Sequence, residues 1–495
     1  MLAGLLLLAS AALAQIAQPG AARGKSAPLD AVPSALQGAL SGRTVPALLL
    51  SDIHFEPFWD TAKVSQLAAA PASAWDAILA APASPDRERH FAALERSCPT
   101  HGSDTSFPLF ASSLEAMRTT ARGARFVTVS GDLISHAFAC KYNVLFPHSS
   151  PQAYREFVRK SLDYVISKLY QAFPGVPVYL ALGNNDSDCG DYRLDMQSGF
   201  LTAMGREITG DFPAGERSGA QRTFAAGGYY SVSLPAPIEN TRLLVLDDIF
   251  LSRNYRTCAG KADPAAATVQ LAWLRRQLAL ARTRRQNIWI MGHIPPGVDL
   301  YSTIIRLDNV CGGQRPAMFL SSEKLAEVLA GSGDVIRLAI FAHTHMDELR
   351  LLRPDGPRSA SAQGVAVKMI ASISPIHGNS PSFTVAEVDP VSAALVDYRV
   401  YAASNLTGAG TSWREEYDFA RSFHQPLFSA PAVKKLIAGF AADPGAKTEA
   451  SQRYIDDFSL GHLSPVLRAF WPQYVCLLSN DTAQDYQRCV CPANR

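Results

Sequence analysis

The chain has 495 residues, too many for one ordinary compact core, so we expect a large main domain and a smaller part. Apolar residues make up 47% of it, as in a globular protein, and 46 basic residues nearly balance 44 acidic ones. A formal net charge of +2 gives no sign of a nucleic-acid-binding surface or of an anionic membrane as the partner.

The first residues have the pattern of an export signal. Residues 1–14 are largely apolar and end in Ala12-Leu13-Ala14, a small-x-small cleavage sequence. The basic n-region is missing, and an uncleaved anchor is the alternative, but the apolar run is too short to span a bilayer comfortably. We therefore expect a secreted or periplasmic protein with no transmembrane anchor after signal removal. Residues 15–43 are rich in Ala, Pro, Gly and Ser, which predicts a flexible linker.

The chain contains eight cysteines, an even count that indicates disulfides in an exported protein. A zinc knot is the alternative, but no Cys-x-x-Cys pair occurs. The sequence leaves the pairing open. Cys489 and Cys491 cannot readily pair with each other, so we expect one of them to bond with Cys476.

Six short apolar runs each end in polar residues. They are rich in β-branched and aromatic residues, as expected for buried strands. The runs and the residues that follow them are Val45–Ser51 before Asp52-Ile53-His54, Arg125–Ser130 before Gly131-Asp132, Val178–Leu182 before Gly183-Asn184-Asn185-Asp186, Arg242–Leu246 before Asp247-Asp248, Asn287–Met291 before Gly292-His293, and Val335–Ala342 before His343-Thr344-His345. The pair Asp247-Asp248 also fits a simple turn at the end of a strand.

Helical periodicity separates several of these runs, at residues 154–173, 264–282 and 321–329. Strands that alternate with helices predict a layered α/β core, in which ligands gather where the strands end. The polar clusters after the strands therefore predict one site built from several loops.

The last part of the chain has a different pattern. Three apolar runs at 366–374, 383–388 and 394–401 follow one another without long helices, which predicts antiparallel pairing at one side of the sheet system. Aromatic residues at helical spacing follow. We expect a main domain over residues 44–403 and a small helical C-terminal subdomain over residues 404–495, closed by disulfides.

Each polar cluster alone is weak evidence for a metal site, but the order of the five clusters along the chain is specific. Asp-x-His, Gly-Asp, Gly-Asn-x-Asp, Gly-His and His-x-His follow in turn, each after a predicted strand. This order resembles that of the binuclear metallophosphoesterase superfamily over residues 45–401. The resemblance implies a four-layer αββα sandwich that holds two divalent metal ions.

The resemblance also implies a ligand set. The first metal would take Asp52, His54 and His345, the second would take Asn184, His293 and His343, and Asp132 would bridge both. Two ions roughly 3.5–4 Å apart clamp a phosphoryl group and lower the pKa of a bridging water, so that a metal-bound hydroxide attacks phosphorus. Imidazole and carboxylate ligands suit zinc, iron or manganese, and we expect zinc.

Finer details are similar to the acid sphingomyelinase-like phosphodiesterases. The matching segments are Gly131-Asp132-Leu133-Ile134-Ser135-His136, Gly227-Gly228-Tyr229-Tyr230-Ser231, Gly292-His293-Ile294-Pro295-Pro296-Gly297, His343-Thr344-His345-Met346-Asp347-Glu348, Ser374-Pro375, and Gly378-Asn379-Ser380-Pro381-Ser382-Phe383. They extend the resemblance over nearly the whole predicted mature chain.

Two positions depart from that family's pattern. Ala342 replaces the Gly before His-x-His, which is a mild backbone change. Asn185 replaces a His that assists the leaving group; an amide cannot act as a general acid near neutral pH, and losing that group costs about 10²–10⁴ in rate. His136 would face the substrate phosphate by resemblance, and we expect it to supply part of the missing proton transfer or hydrogen bonding. His377, inside a matched segment, is a further residue that would line the pocket.

These features predict a metal-dependent phosphodiesterase that acts on phosphoric diesters or nucleotide phosphoanhydrides. A phosphomonoesterase or nucleotidase with the same metals is one alternative. A catalytically weak protein that binds phosphate compounds is another, because of Asn185. Sphingomyelinases of the family carry a saposin domain for which the residues before Asp52 leave no room. We therefore expect small soluble substrates, nucleotides included, over phospholipid headgroups.

Overall fold

The computed structural model of the protein describes residues 43–100, 102–354, 364–461 and 464–491. The predicted signal segment 1–14, and the predicted linker apart from residue 43, lie outside the described residues. No helix in the described part of the chain has the length and apolar character needed to cross a membrane.

Twelve strands of the described chain form two six-stranded sheets. The strands are β1 Val45–Leu50, β2 Val127–Val129, β3 Val178–Leu180, β4 Tyr230–Ser233, β5 Thr241–Val245, β6 Asn287–Met291, β7 Ile336–Phe341, β8 Glu348–Leu352, β9 Val365–Met369, β10 Ser382–Val388, β11 Leu395–Ala403 and β12 Trp413–Asp418. The first sheet has the order β12-β11-β10-β1-β2-β3, and the second has the order β4-β5-β6-β7-β9-β8. Each sheet mixes parallel and antiparallel pairs.

Helices cover the two sheets. They are α1 Val64–Ala69, α2 Trp75–Ala80, α3 Arg87–Ser97, α4 Phe107–Thr120, α5 Phe138–Leu145, α6 Pro151–Ala172, α7 Gly199–Ile208, α8 Ala214–Gly227, α9 Pro264–Arg284, α10 Leu300–Ile305, α11 Lys324–Ala330, α12 Phe419–Phe423, α13 Ala430–Ala441, α14 Glu449–Phe458, α15 Pro465–Ala469, α16 Trp471–Leu477 and α17 Ala483–Val490. Short 3₁₀ turns occupy Thr61–Lys63, Ala72–Ala74, Asp248–Leu251 and Val310–Gly312. The long helix α9 starts at Pro264, as the sequence predicts, and α6 starts at Pro151, three residues before its predicted start. Each has Pro at its first position after a Ser or Asp cap.

The two sheets pack face to face, and neighbouring residues of a strand are buried in different cores. Leu243 of β5 belongs to a core that also holds Val127 of the first sheet. The next residue, Leu244, belongs to a second core with Leu274 of α9 and Leu325 of α11. Because neighbouring side chains of a strand point to opposite faces, β5 is buried on both sides. The predicted α/β class is confirmed: two mixed sheets with helices on both sides, followed by a helical C-terminal region.

The six strands predicted before the polar clusters are all present, with bounds that differ by at most two residues. The prediction for the later strands is right for β10 and β11, which pair antiparallel. It is wrong for β9, which lies in the second sheet, parallel to β7 and antiparallel to β8. Partner choice depends on which face of the sandwich a strand covers, and a local apolar run carries no such information.

The C-terminal part begins with a strand that the sequence pattern does not predict. Strand β12 lies beyond residue 404 and pairs with β11 at the edge of the first sheet. The helices follow from residue 419 onward. The boundary predicted between residues 403 and 404 stays a prediction, and the structure adds that residues 413–418 belong to the sheet.

All eight cysteines form disulfides, as predicted. The expected bond within the C-terminal part is Cys476–Cys489. The other three are Cys311–Cys491, Cys98–Cys140 and Cys189–Cys258. The bond at Cys311 ties the C-terminal end of α17 to the turn that follows α10.

Candidate metal centre

The seven predicted ligands meet at the carboxyl ends of strands from both sheets. Strands β1, β2 and β3 of the first sheet lead to Asp52 and His54, to Asp132 and to Asn184. Strands β6 and β7 of the second sheet lead to His293 and to His343 and His345. Six of these residues are buried and His343 is partly buried, so the two sheets enclose one polar centre.

The first group of side chains surrounds Asp52 and His54. His54 Nε2 lies 3.6 Å from Asp52 Oδ1 and 3.4 Å from Asp132 Oδ2. His345 Nε2 lies 3.4 Å from Asp52 Oδ1. These four residues are the three assigned to the first metal and the assigned bridge.

The second group surrounds His293. Its Nε2 lies 3.2 Å from Asp132 Oδ2, 3.1 Å from Asn184 Oδ1 and 3.2 Å from His343 Nδ1. Asp132 Oδ2 therefore lies within 3.4 Å of a histidine nitrogen in each group. One carboxylate oxygen between two clusters is the arrangement that a bridged pair of ions requires.

The donor atoms have the chemistry of a cation site. His54 Nδ1 donates to the carbonyl oxygen of Ile134 at 3.0 Å, and His293 Nδ1 donates to that of Ser130 at 2.8 Å. Because a carbonyl only accepts, each ring turns the lone pair of its neutral form, on Nε2, toward the carboxylates. Within the described part of the chain, the buried atoms Asp52 Oδ1 and His54 Nε2 have no hydrogen-bond partner. Lone pairs that face one another without a donor fit divalent cations.

Asn184 and His343 are oriented by one loop. The Asn184 amide nitrogen donates to Asp191 Oδ1 at 2.8 Å, which leaves its oxygen directed at His293. The Tyr192 hydroxyl lies 3.2 Å from His343 Nε2. His343 therefore directs its Nδ1 at the second group. Asp191 and Tyr192 do not directly follow a strand and belong to no motif, so the sequence pattern does not predict their roles.

The electrostatics of the centre favour the binding of protons or metal cations. Burial raises the pKa of a carboxyl, yet His293 and His54 hold the pKa of Asp132 well below its usual range. Burial alone would lower the pKa of an imidazole, but Asp132 raises the pKa of His293 to about 10 and that of His54 to about 9. Burial and His293 lower the pKa of His343 to about 3, so its ring stays neutral and keeps one nitrogen lone pair free. Protons and divalent cations compete for these lone pairs.

The backbone is strained at the same positions. Residues Asp52, His54, Asp132, His343 and His345 have positive φ values of 46°, 45°, 56°, 71° and 66°. Non-glycine residues rarely adopt this left-handed conformation, and strain of this kind gathers at functional sites. Ala342 is not among the residues of positive φ, so a Cβ is tolerated there. Its N–H donates to the His293 carbonyl oxygen at 2.9 Å.

Two buried carboxylates hold the loops of the predicted ligands by accepting hydrogen bonds from their backbone N–H groups. Asp186 accepts from the backbone of Leu133 and Ile134 at 2.7 and 3.2 Å, just after Asp132. Asp248 accepts from the backbone of His293 and Ile294 at 2.9 and 3.0 Å. The sequence pattern fits Asp248 equally well as a simple turn residue beside Asp247. The available signal was its place after a buried strand, which it shares with the predicted ligands.

Asn185 is turned toward the predicted bridge. Its backbone N–H donates to Asp132 Oδ1 at 2.8 Å, and its side-chain amide donates to Asp132 Oδ2 at 2.9 Å. Gly183 allows this close approach, because a Cβ at that position would collide with the Asp132 carboxylate. The Asn185 side chain is buried and holds Asp132 in place.

His136 lies beside the first group. Its ring stacks on His54 with 3.9 Å between centroids, and its Nδ1 lies 3.0 Å from Asp104 Oδ1. The carboxylate accepts the Nδ1 proton, so Nε2 is left for another partner. One ring nitrogen each of His54, His136 and His345 lie within 4.8 Å of one another. The side chain of His136 is 26% exposed, so it connects the buried centre with solvent.

The sequence model of the calcineurin-like phosphoesterase family matches residues 45–347, which is more than half of the chain. The chain belongs to this family. Members of this metallophosphoesterase family hold a binuclear divalent metal centre, and both groups of side chains lie in the matched region.

Named relatives of this calcineurin-like phosphoesterase include several phosphodiesterases. It is 25% identical to sphingomyelinase phosphodiesterase C of Dictyostelium discoideum over 333 residues, 65% of this chain and 68% of the relative. It is 24% identical to acid sphingomyelinase-like phosphodiesterase 3b of Mus musculus over 401 residues, 78% and 80% of the two chains. It is 23% identical to cyclic GMP-AMP phosphodiesterase SMPDL3A of Mus musculus over 403 residues, 78% and 82% of the two chains.

Proposed function

We propose that this phosphoesterase hydrolyses phosphodiesters with two divalent ions held by the seven residues of the centre. The observation that carries the proposal is the position of Asp132 Oδ2, 3.4 Å from His54 Nε2 and 3.2 Å from His293 Nε2. Asp52, His54 and His345 would hold one ion, Asn184, His293 and His343 would hold the other, and Asp132 would be common to both. Such a pair neutralises the charge of a phosphoryl group and activates water at neutral pH.

The protein's own residues prepare this chemistry. Asn185 fixes the Asp132 carboxylate through two hydrogen bonds. Asp186 and Asp248 hold the loops that carry Asp132 and His293, so the donor atoms are set before substrate arrives. The Asp104 carboxylate keeps the proton of His136 on Nδ1 and directs Nε2 toward the site. We assign His136 to a hydrogen bond with the substrate phosphate.

We propose zinc as the metal. The donor set has four imidazoles, two carboxylates and one amide oxygen, all in the buried or partly buried centre. Imidazole-rich sites bind zinc well, whereas magnesium and calcium prefer oxygen ligands throughout. The four disulfides fit an oxidising compartment, and we place the protein outside the cytosol.

We define the substrate class by the chemistry that the named relatives share. Two of them are named for sphingomyelinase and one for cyclic GMP-AMP, and sphingomyelin and cyclic GMP-AMP are both phosphodiesters. A lipid headgroup and a nucleotide are thus two sources of one reactive group. The test must separate them.

The test incubates the zinc-loaded protein separately with cyclic GMP-AMP, ATP and sphingomyelin and follows the products by phosphorus NMR. We expect turnover of at least one phosphodiester, abolished by a chelator and by Asp132→Asn. His90→Ala, an exposed position on α3, is the matched control and should keep full turnover. Turnover of none of them by protein with two bound zinc ions would contradict the proposal and favour a phosphate-binding role. Turnover of ATP alone would favour a nucleotidase.

A further inference from the structure

His377 lies at the open side of the centre and outside the ligand set. Its ring centroid is 4.4 Å from that of His345 and 5.7 Å from that of His136, with an edge-on arrangement in both cases. His345 is buried, His136 is partly exposed, and His377 is exposed. The three imidazoles therefore lead from the buried ligands to solvent.

The loop that carries His377 is tied to the centre. The Ser374 N–H donates to the Asp52 carbonyl oxygen at 3.1 Å, and the Ser374 hydroxyl donates to Asp104 Oδ1 at 2.8 Å. Asp104 also accepts from the His136 backbone at 2.8 Å. One buried carboxylate thus connects the loop of His377 to the loop of His136, and the spacing of the two rings is built into the fold.

The imidazole of His377 is available for a ligand. Among the described residues, no hydrogen bond is formed to its ring nitrogens, whereas His136 Nδ1 is held by Asp104. Its neutral ring carries one N–H donor whatever its tautomer. Asn185, the residue at the family's leaving-group position, is buried and donates one of its two amide hydrogens to Asp132. The exposed His377 therefore offers an N–H donor at the open side of the centre, whereas Asn185 is buried against Asp132.

We propose that His377 is a catalytic residue that donates a hydrogen bond to the leaving-group oxygen of the substrate. The inference rests on the proposed function. If water attacks phosphorus from the buried ions, an in-line displacement places the leaving oxygen on the opposite, solvent side, where His377 lies. The bond between phosphorus and that oxygen breaks, and its electron pair stays on the oxygen. The N–H of His377 stabilises the developing charge, and solvent supplies the proton that completes the alcohol.

The experiment compares two diesters that differ only in the leaving phenol. Thymidine 5′-phenyl phosphate has the poorer leaving group, and thymidine 5′-p-nitrophenyl phosphate has the better one. With zinc-loaded protein, His377→Ala should lower kcat/KM about 10- to 100-fold for the phenyl ester, as expected for a lost hydrogen bond to a charged group. For the p-nitrophenyl ester, kcat/KM should fall less than about threefold, because the nitro group already stabilises the negative charge on the leaving oxygen. His377→Gln keeps an N–H donor and should restore part of the rate.

A second readout does not depend on turnover. Inorganic phosphate carries no leaving group, so calorimetry should give the same phosphate affinity and zinc content for wild type and His377→Ala. Equal rate losses for both esters, together with weaker phosphate binding, would overturn the assignment to the leaving group. Wild-type rates in His377→Ala would overturn any catalytic role of this residue. Absence of diester turnover in zinc-loaded wild type would instead refute the proposed function itself.

Discussion

The metal centre and a neighbouring buried network differ in how they satisfy their charges. The metal centre includes His343 and His345, and the β8 network begins two residues later with Asp347 and Glu348. We define the β8 network as Asp347, Glu348, Arg350, Lys368, Tyr417 and Tyr474. All of these residues are buried.

In the β8 network, Lys, Arg and Tyr side chains of the protein meet the carboxylates, although Asp347 Oδ2 and Arg350 Nε have no hydrogen-bond partner among the described residues. Lys368 forms an ion pair with Asp347, and the Tyr417 hydroxyl donates to the same carboxylate at 2.9 Å. The Tyr474 hydroxyl donates to Glu348 at 2.9 Å, and Arg350 donates to it at 3.2 Å. Every carboxylate of the network faces a cation or a hydroxyl. These contacts join β8 and β9 to the C-terminal region, so we interpret the network as one that stabilises the fold.

In the metal centre, the described residues leave some buried polar atoms without hydrogen-bond partners. Asp52 Oδ1 and His54 Nε2 are buried with no donor among the residues that the structure describes, and five of the predicted ligands have strained backbones. Unpaired buried polar groups destabilise a fold. The comparison teaches that burial of charge alone does not mark a functional site. The mark is buried carboxylates whose ion-pair partners among the described residues are imidazoles, which can also bind metal ions, whereas the β8 carboxylates pair with Lys368 and Arg350.

The largest effect should come from Asp132→Asn. The amide keeps the size of the side chain but removes the charge that both groups of the centre share. We expect loss of at least one metal ion per chain and a fall in kcat/KM of about 10³-fold or more. Elemental analysis and steady-state kinetics measure both quantities, with exposed Asp334→Asn as the control. Full metal content and wild-type activity would remove the basis for a bridging carboxylate.

A substitution in the β8 network should lower the stability of the fold and not the metal content. Lys368→Met leaves Asp347 buried without its cation, which should lower the free energy of unfolding by about 3–5 kcal/mol. Urea unfolding should show this loss both with zinc and with a chelator, since the network needs no ion. Arg282→Met, in an exposed pair with Asp334, is the matched control and should cost about 1 kcal/mol or less. A loss seen only with zinc present would contradict the separation of the two clusters.

A smaller, pH-dependent effect should arise at Asp457, which lies beside the network. Burial raises its pKa from 3.8 to about 7. Between these values the folded chain holds a proton that the unfolded chain has released, so this stabilisation is lost as the pH rises. Asp457→Asn should therefore flatten the fall in unfolding free energy between about pH 5 and about pH 8, by about 2 kcal/mol. Identical pH profiles for variant and wild type would show that Asp457 is ionised throughout.

The smallest effect should follow Ala342→Gly. Residue 342 is buried and does not have positive φ, so glycine gains nothing there and adds freedom to the unfolded chain. We expect a loss of about 0.5–1 kcal/mol in urea unfolding, with metal content unchanged. A gain in stability would mean that the Ala342 methyl is strained.

Much of the fold could be predicted because local patterns determined it. The six strands before the polar clusters alternate with helices and are mostly apolar, which is the pattern of strands covered on both faces. Strand β12 was missed because Trp413–Asp418 lies at a sheet edge and is rich in charge, so it has no apolar run. The sheet partner of β9 was wrong because partner choice depends on residues far along the chain.

The sequence by itself determined the family, the order of the strands along the chain and the residue types that the proposed centre needs. A ligand at the end of a strand leaves a local trace, because a buried strand must be followed by a turn. Only the tertiary structure decided which side chains meet. Asp104 connects His136 to Ser374, and Asp248 holds His293, although 32 and 45 residues separate His136 from Asp104 and His293 from Asp248. No local pattern records such contacts, because they form only when both sheets bring their carboxyl ends to one place.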